Sequence, residues 1–196
     1  MRFSLSEDQI MLRDAARDVL RGECTPARVR EAWVGRASGL WQTLAENGLI
    51  GVVAEESVGG LGLGLVELCL VLEEAGYVAL PEPLLEVAAV TVPFLCVYDP
   101  AALPSVISGE RLVLVNQGEP LAFGGVADEV LCGEIGAPLA SVDGSRGLWS
   151  TSAGTLSTSG VVGASAVLLG LGRRMLDMAV EYVGVRRQFG RAIGSF

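Results

Sequence analysis

The segment Tyr182-Val183-Gly184-Val185-Arg186-Arg187-Gln188-Phe189-Gly190-Arg191-Ala192-Ile193-Gly194-Ser195-Phe196 carries the most specific information in this 196-residue chain. Five arginines (173, 174, 186, 187 and 191) fall between residues 173 and 191 against only Asp177 and Glu181, a local balance of +3 in a chain of net charge −9. Guanidinium groups present fixed donor forks that match phosphate oxygens, and at a helix end they can clamp a diphosphate. Phe189 beside them offers a flat face to a purine ring. A solvated basic helix end is the competing reading of the same residues.

Working upstream, residues 161–188 keep helical spacing through Ala164, Leu168, Leu171, Met175, Met178 and Tyr182. The small residues Gly163, Ala164, Ala166 and Gly170 allow close helix approach, either to a second subunit or within the chain. Residues 109–159 have a different texture. Leu112–Val115 and Glu129–Cys132 have strand character, weaker candidates flank Trp149 and Leu156, and Gly, Ser and Thr punctuate the rest. About 50 residues hold about four strands, so this β portion is reduced.

Residues 1–108 read as helices. Ser6-x-x-Gln9 is a capping box, followed by Met11, Ala15 and Val19 along one face. Thr25-Pro26 opens a second helix, and a third from Leu40 to Glu46 stops at Asn47-Gly48. Leu49–Val53 reads as short and extended. The cluster Gly59-Gly60-Leu61-Gly62-Leu63-Gly64 lacks the spacing of a phosphate loop and reads as a structural turn into a helix from Leu65 to Ala75, closed by Gly76. Helices over 84–96 and 101–108 complete the region. The fold class is therefore mainly α: an N-terminal all-helical domain (1–108), a reduced middle β segment (109–159) and the start of a C-terminal helical bundle (160–196).

Composition removes whole classes of function. Net charge −9 and pI near 4.5 argue against nucleic acid and against anionic membranes. Without any His, Ser-His-Asp catalysis and imidazole metal sites are excluded. Cys24, Cys69, Cys96 and Cys132 have no metal-ligand spacing and read as reduced thiols of a cytoplasmic protein. The N-terminus runs from Met1-Arg2-Phe3-Ser4 straight into a polar helix start, with no secretory signal. The apolar run from Gly160 to Gly172 is too short to span a bilayer. A hydrophobic content of 51% with 19% charged residues implies more apolar surface than a small monomer hides, hence an oligomer.

Tyr182-x3-Arg186-x-Gln188-Phe189-Gly190-x2-Ile193-x2-Phe196 resembles the second signature of acyl-CoA dehydrogenases. Glu55-Glu56-Ser57-Val58-Gly59-Gly60-Leu61-Gly62, with Glu67 and Leu72-Glu73-Glu74-Ala75-Gly76, resembles the glycine turn and following helix of that family, and Ser4–Gln9 resembles its opening helix. Ala54 and Val58 replace the usual Pro and aromatic of the turn. The resemblance implies a helical domain, a β-domain and a four-helix bundle, and oxidation of acyl-CoA thioesters between Cα and Cβ. A glutamate removes the α-proton and FAD accepts the hydride. It further implies that Arg186, Gln188, Phe189 and Gly190 contact FAD shared with a neighbouring subunit, Arg186 and Gln188 at the diphosphate. No counterpart of the family's flavin-cradling β motif is found between residues 111 and 158, and its catalytic glutamate would lie beyond Phe196, so no catalytic residue is assigned. Glu73, Glu74 and Glu181 read as helix surface. Three expectations stand side by side: a subunit contributing to FAD binding in a homo- or hetero-oligomer with an acyl-CoA dehydrogenase-like partner that takes the acyl-CoA substrate, a structural homologue without flavin, or a fragment of a complete enzyme.

Overall fold

In the computed structural model, residues 4–35, 39–118, 120–154 and 156–195 are described. Phe196 of the signature and Met1–Phe3 lie outside them. The capping box at Ser6 forms as read, with Ser6 Oγ accepting from Gln9 N and Gln9 Oε1 accepting from Ser6 N, and opens α1 (Glu7–Glu23). Its buried face is one residue out of step with the sequence reading. Met11 is 65% exposed and Ala15 is exposed, while Ala16 and Leu20 are buried beside Leu12 and Val19. Thr25 caps α2 (Pro26–Trp33), and α3 (Trp41–Glu46) ends at Asn47 before Gly48 with φ 72°.

Leu49–Val53 is not extended. It is a run of tight turns whose side chains Leu49, Ile50 and Val52 are buried. Its carbonyls are satisfied from the glycine cluster, with Leu61 N donating to Gly51 O, Leu63 N to Val52 O and Gly62 N to Ala54 O. Gly60 lies so close to Ala54 that a Cβ would overlap the Ala54 carbonyl. The cluster is thus a docked turn, its Gly60, Leu61, Gly62 and Leu63 N–H groups all paired with backbone carbonyls of residues 51–55.

The next helix, α4 (Leu65–Tyr77), starts where Gly64 N donates to Glu67 Oε2 at 3.1 Å and Gln9 Nε2 of α1 donates to Glu67 Oε1 at 2.8 Å. It runs past Gly76 to Tyr77, so Gly76 is a packing residue and not the terminator. Three consecutive pieces then form one rod: α5 (Leu84–Glu86), a wider π turn (Val87–Thr91) and α6 (Val92–Tyr98). Pro93 has no N–H to return to the preceding turn. Within that widened turn Ser159 Oγ donates to Ala89 O at 2.6 Å and Thr91 Oγ1 to Val113 O at 2.9 Å. The rod is followed by α7 (Leu103–Ile107).

Five short strands follow: β1 (Val113–Val115), β2 (Leu121–Ala122), β3 (Glu129–Leu131), β4 (Ile135–Leu139) and β5 (Leu148–Thr151). β1 pairs parallel with β3, and β2-β5-β4 forms an antiparallel sheet in that order. Leu156 lies outside any strand. The final helix, α8 (Thr158–Val185), has 28 residues, roughly 42 Å at 1.5 Å per residue. It stops three residues before the end expected from periodicity. Beyond it, β6 (Arg187–Gln188) and β7 (Arg191–Ala192) form a small hairpin. The main core lies among α1, α3, α4, the α5–α6 rod and α7, and reaches β1. No helix among the described residues is long and apolar enough to cross a membrane.

Candidate functional site

Glycine seats α8 on the helical core. A Cβ at Gly76 would overlap the Val167 carbonyl and one at Gly170 the Glu73 carbonyl, while one at Gly163 would meet Leu72 and Leu85 at 2.9 and 2.8 Å. The small residues singled out for close approach, Gly163 and Gly170, therefore pack within the chain. The opposite face is apolar and exposed, with Leu168, Leu169, Met175, Leu176 and Val180 all facing outward.

A charged cluster continues the α4–α8 seam. Glu74 is 1% exposed, so the reading of Glu74 as helix surface is overturned. Its carboxylate accepts from Arg17 of α1 at 3.0 Å and from Arg173 of α8 at 2.7 Å, with Arg21 at 3.4 Å. Burial pushes the Glu74 carboxyl up, and the hydrogen bonds from Arg17 and Arg173 more than reverse this, holding it below the usual carboxylate range. Glu73 pairs with Arg173. Next to them the Tyr77 ring stands under the guanidinium carbons of Arg21 at 4.0 Å, Arg173 at 4.8 Å and Arg174 at 5.4 Å. Its hydroxyl donates to Asp177 Oδ2 at 2.8 Å. Two of the five clustered arginines, Arg173 and Arg174, thus belong to this anchor. Sequence reasoning missed Tyr77 and Asp177; the signal available was a carboxylate inside an otherwise apolar helical run.

The other three arginines sit at the tip. Arg186 caps α8 with extended backbone, its N–H donating to Tyr182 O and its carbonyl accepting from Ile193 N, both at 2.8 Å. Arg187 pairs with Ala192 and Gln188 with Arg191 across the hairpin. The turn between them is Phe189-Gly190, both at positive φ (49° and 80°), as a two-residue hairpin turn with the twist of its strands requires. The structure brings Arg186, Gln188, Phe189 and Gly190 together at one exposed end. Phe189 is 92% exposed, and nothing lies within 4 Å of a Cβ built on Gly190. Guanidinium and amide donors beside an aromatic face, with no carboxylate among residues 182–195, suit a dinucleotide diphosphate.

At the other end of α8 an open cleft of about 590 Å³ is lined by Val90, Phe94 and Tyr98 of the rod, and by Asn116, Cys132 and Ser157. Asn116 is buried and fully used, donating to Cys132 O and Ser152 O while accepting from Gly118 N. Gln117 Oε1 accepts from Ser157 N at 2.8 Å and ties the strand region to the start of α8. The whole of α8 separates this cleft from the Arg186 tip.

Comparison with known proteins points one way. The family profile described as "Acyl-CoA dehydrogenase, N-terminal domain" matches residues 6–95. Acyl-CoA dehydrogenase IpdE2 of Mycobacterium tuberculosis is 30% identical over 216 residues, covering 97% of this chain and 68% of that protein. IpdE2 of Mycolicibacterium smegmatis is 29% identical, covering 98% and 70%. Among solved structures, the ChsE4-ChsE5 complex from Mycobacterium tuberculosis matches with a TM-score of 0.77 and 24% identity, over 100% of this chain and 72% of that one. Butyryl-CoA dehydrogenase from Megasphaera elsdenii matches with a TM-score of 0.78 and 18% identity, over 100% and 74%. The matches to IpdE2 and to the solved structures run through helices, strand region and α8 alike, and the chain belongs to the acyl-CoA dehydrogenase family.

Proposed function

We propose that this chain is a flavoprotein subunit that lends Arg186, Gln188, Phe189 and Gly190 to FAD held mainly on a neighbouring subunit, in the α,β-oxidation of an acyl-CoA thioester. The observation that carries this reading is the placement of the tip. It projects from the far end of a helix roughly 42 Å long, too distant to touch a ligand in the cleft beside Ser157 of its own chain. A diphosphate clamp so placed suits a ligand held across an interface. The name of one structural neighbour, the ChsE4-ChsE5 complex, gives a precedent for two-component assemblies on this fold. In such a complex Arg186 and Gln188 would hold the diphosphate through their N–H donors, and Phe189 would lie at the nucleotide end. When bound, FAD supplies the hydride acceptor; this chain supplies binding and orientation, and the partner supplies the base. We assign the divisions 1–108, 109–159 and 160–196 to the three domains of the family, and the free cysteines fit a cytoplasmic setting.

The test is Arg186→Ala in the assembled complex. Flavin released by denaturation should fall well below one per site while the complex stays assembled. Unchanged flavin content would instead favour a structural role without cofactor contact.

A further inference from the structure

We infer that Tyr77 and Asp177 are positioning residues for the clamp: their contact is the last fixed point of α8 and sets where the Arg186 tip lies. The inference rests on the trans-clamp reading for its function and on the geometry of α8 for its structural part. Contacts of α8 with the helical core recur at Gly163, Val167, Gly170, Arg173 and Asp177, spaced three or four residues apart along one seam. After Asp177 the seam ends. Residues 178–185 are all exposed but Val183, and Val183 meets Gly194 of the tip itself. The last eight residues, roughly 12 Å of helix, and the hairpin therefore extend as a lever from Asp177. A small angular freedom at that point becomes a large displacement at Arg186, and clamping geometry tolerates little displacement.

Tyr77 is suited to this task because it closes α4 and is held on its faces before its hydroxyl reaches out. Arg21, Arg173 and Arg174 stand over the ring, and Arg173 is itself tied to Glu73 and Glu74. The hydroxyl then makes a hydrogen bond to a carboxylate, of the stronger kind, across 2.8 Å. Neither residue is part of the tip, so neither would touch the flavin.

Tyr77→Phe removes the hydroxyl and keeps the ring that the arginines cover. Without flavin, amide hydrogen exchange over residues 178–188 should accelerate several-fold while residues 160–173 keep their protection. In the assembled complex, FAD affinity should fall by roughly tenfold. The double variant Tyr77→Phe/Arg186→Ala should bind FAD no more weakly than Arg186→Ala alone, because a misplaced clamp and a missing one fail by the same route. Asp177→Asn keeps an acceptor oxygen and should retain most of the affinity, while Asp177→Leu should behave as Tyr77→Phe does. Unchanged exchange over 178–188 would overturn the anchor, and additive losses of affinity in the double variant would overturn its link to the clamp. Should Arg186→Ala alone leave FAD affinity intact, the trans-clamp reading fails with it, and the exchange measurement still decides whether Tyr77 fixes α8.

Discussion

Gly170 of α8 rests directly on the carbonyl of Glu73 in α4, so that a methyl group there would overlap the oxygen. Gly170→Ala should force the helices apart and destabilise the chain by roughly 1–3 kcal/mol, read from the denaturant midpoint. Gly172, two residues on, has nothing within 4 Å of its built Cβ. Gly172→Ala should stabilise by up to about 1 kcal/mol through helix propensity alone. Opposite signs from two neighbouring glycines in one helix would establish the seam.

Glu74 gives the chain an acid-side dependence. Its folded-state pKa lies below the unfolded value because Arg17 and Arg173 outweigh burial. A depressed carboxylate contributes stability that is present above the unfolded pKa, about 4.3, and is lost as pH falls through the folded value. Glu74→Gln should lower the melting temperature at neutral pH, by the equivalent of roughly 3 kcal/mol, and flatten the fall in stability below about pH 4. Thermal melts from acid to neutral pH read both effects.

Glu86 has the opposite sign. It pairs with Arg146 through Oε1, but its Oε2 is buried without a hydrogen-bond partner. Burial pushes its carboxyl up despite Arg146. A raised folded-state pKa makes the contribution fullest below the unfolded value and removes it as pH rises through the folded one. Glu86→Gln, which can still accept from Arg146, should therefore raise stability at neutral pH relative to mildly acid pH, compared with the parent chain. The same melts provide the comparison.

Phe189 occupies a left-handed backbone position (φ 49°), which costs a side chain on the order of 1–2 kcal/mol. Phe189→Gly should relieve that strain and leave the melting temperature no lower. If the ring covers the nucleotide, the same change should weaken FAD binding by roughly tenfold or more in the assembled complex. Stability retained with affinity lost would identify the strain as serving the ligand.

Local signals were legible, and distant choices were not. The Ser6–Gln9 box and the Thr25-Pro26 start are decided within four residues, and both form where the sequence places them. On α1, the stripe through Met11 and Ala15 and the one through Leu12 and Ala16 are both apolar, and packing against α4 selects the second. A buried Glu74 depends on arginines 57 and 99 residues away, which no window along the chain displays. The π turn before Pro93 and the early stop of α8 reflect contacts with Ser159 and the Phe189-Gly190 turn, so periodicity overran the second. The order of the tip residues is a local pattern that the sequence displays, whereas their exposure follows only from the length and seating of α8.

The most direct test is to follow flavin and mass together, by sedimenting the purified protein with FAD across a dilution series, alone and after co-expression with an acyl-CoA dehydrogenase-like chain. A clamp that works across an interface predicts that flavin absorbance travels with the assembled species alone and disappears from it in Arg186→Ala. Flavin that stays bound one-to-one on the dissociated single chain, or that stays with the Arg186→Ala assembly, would contradict it.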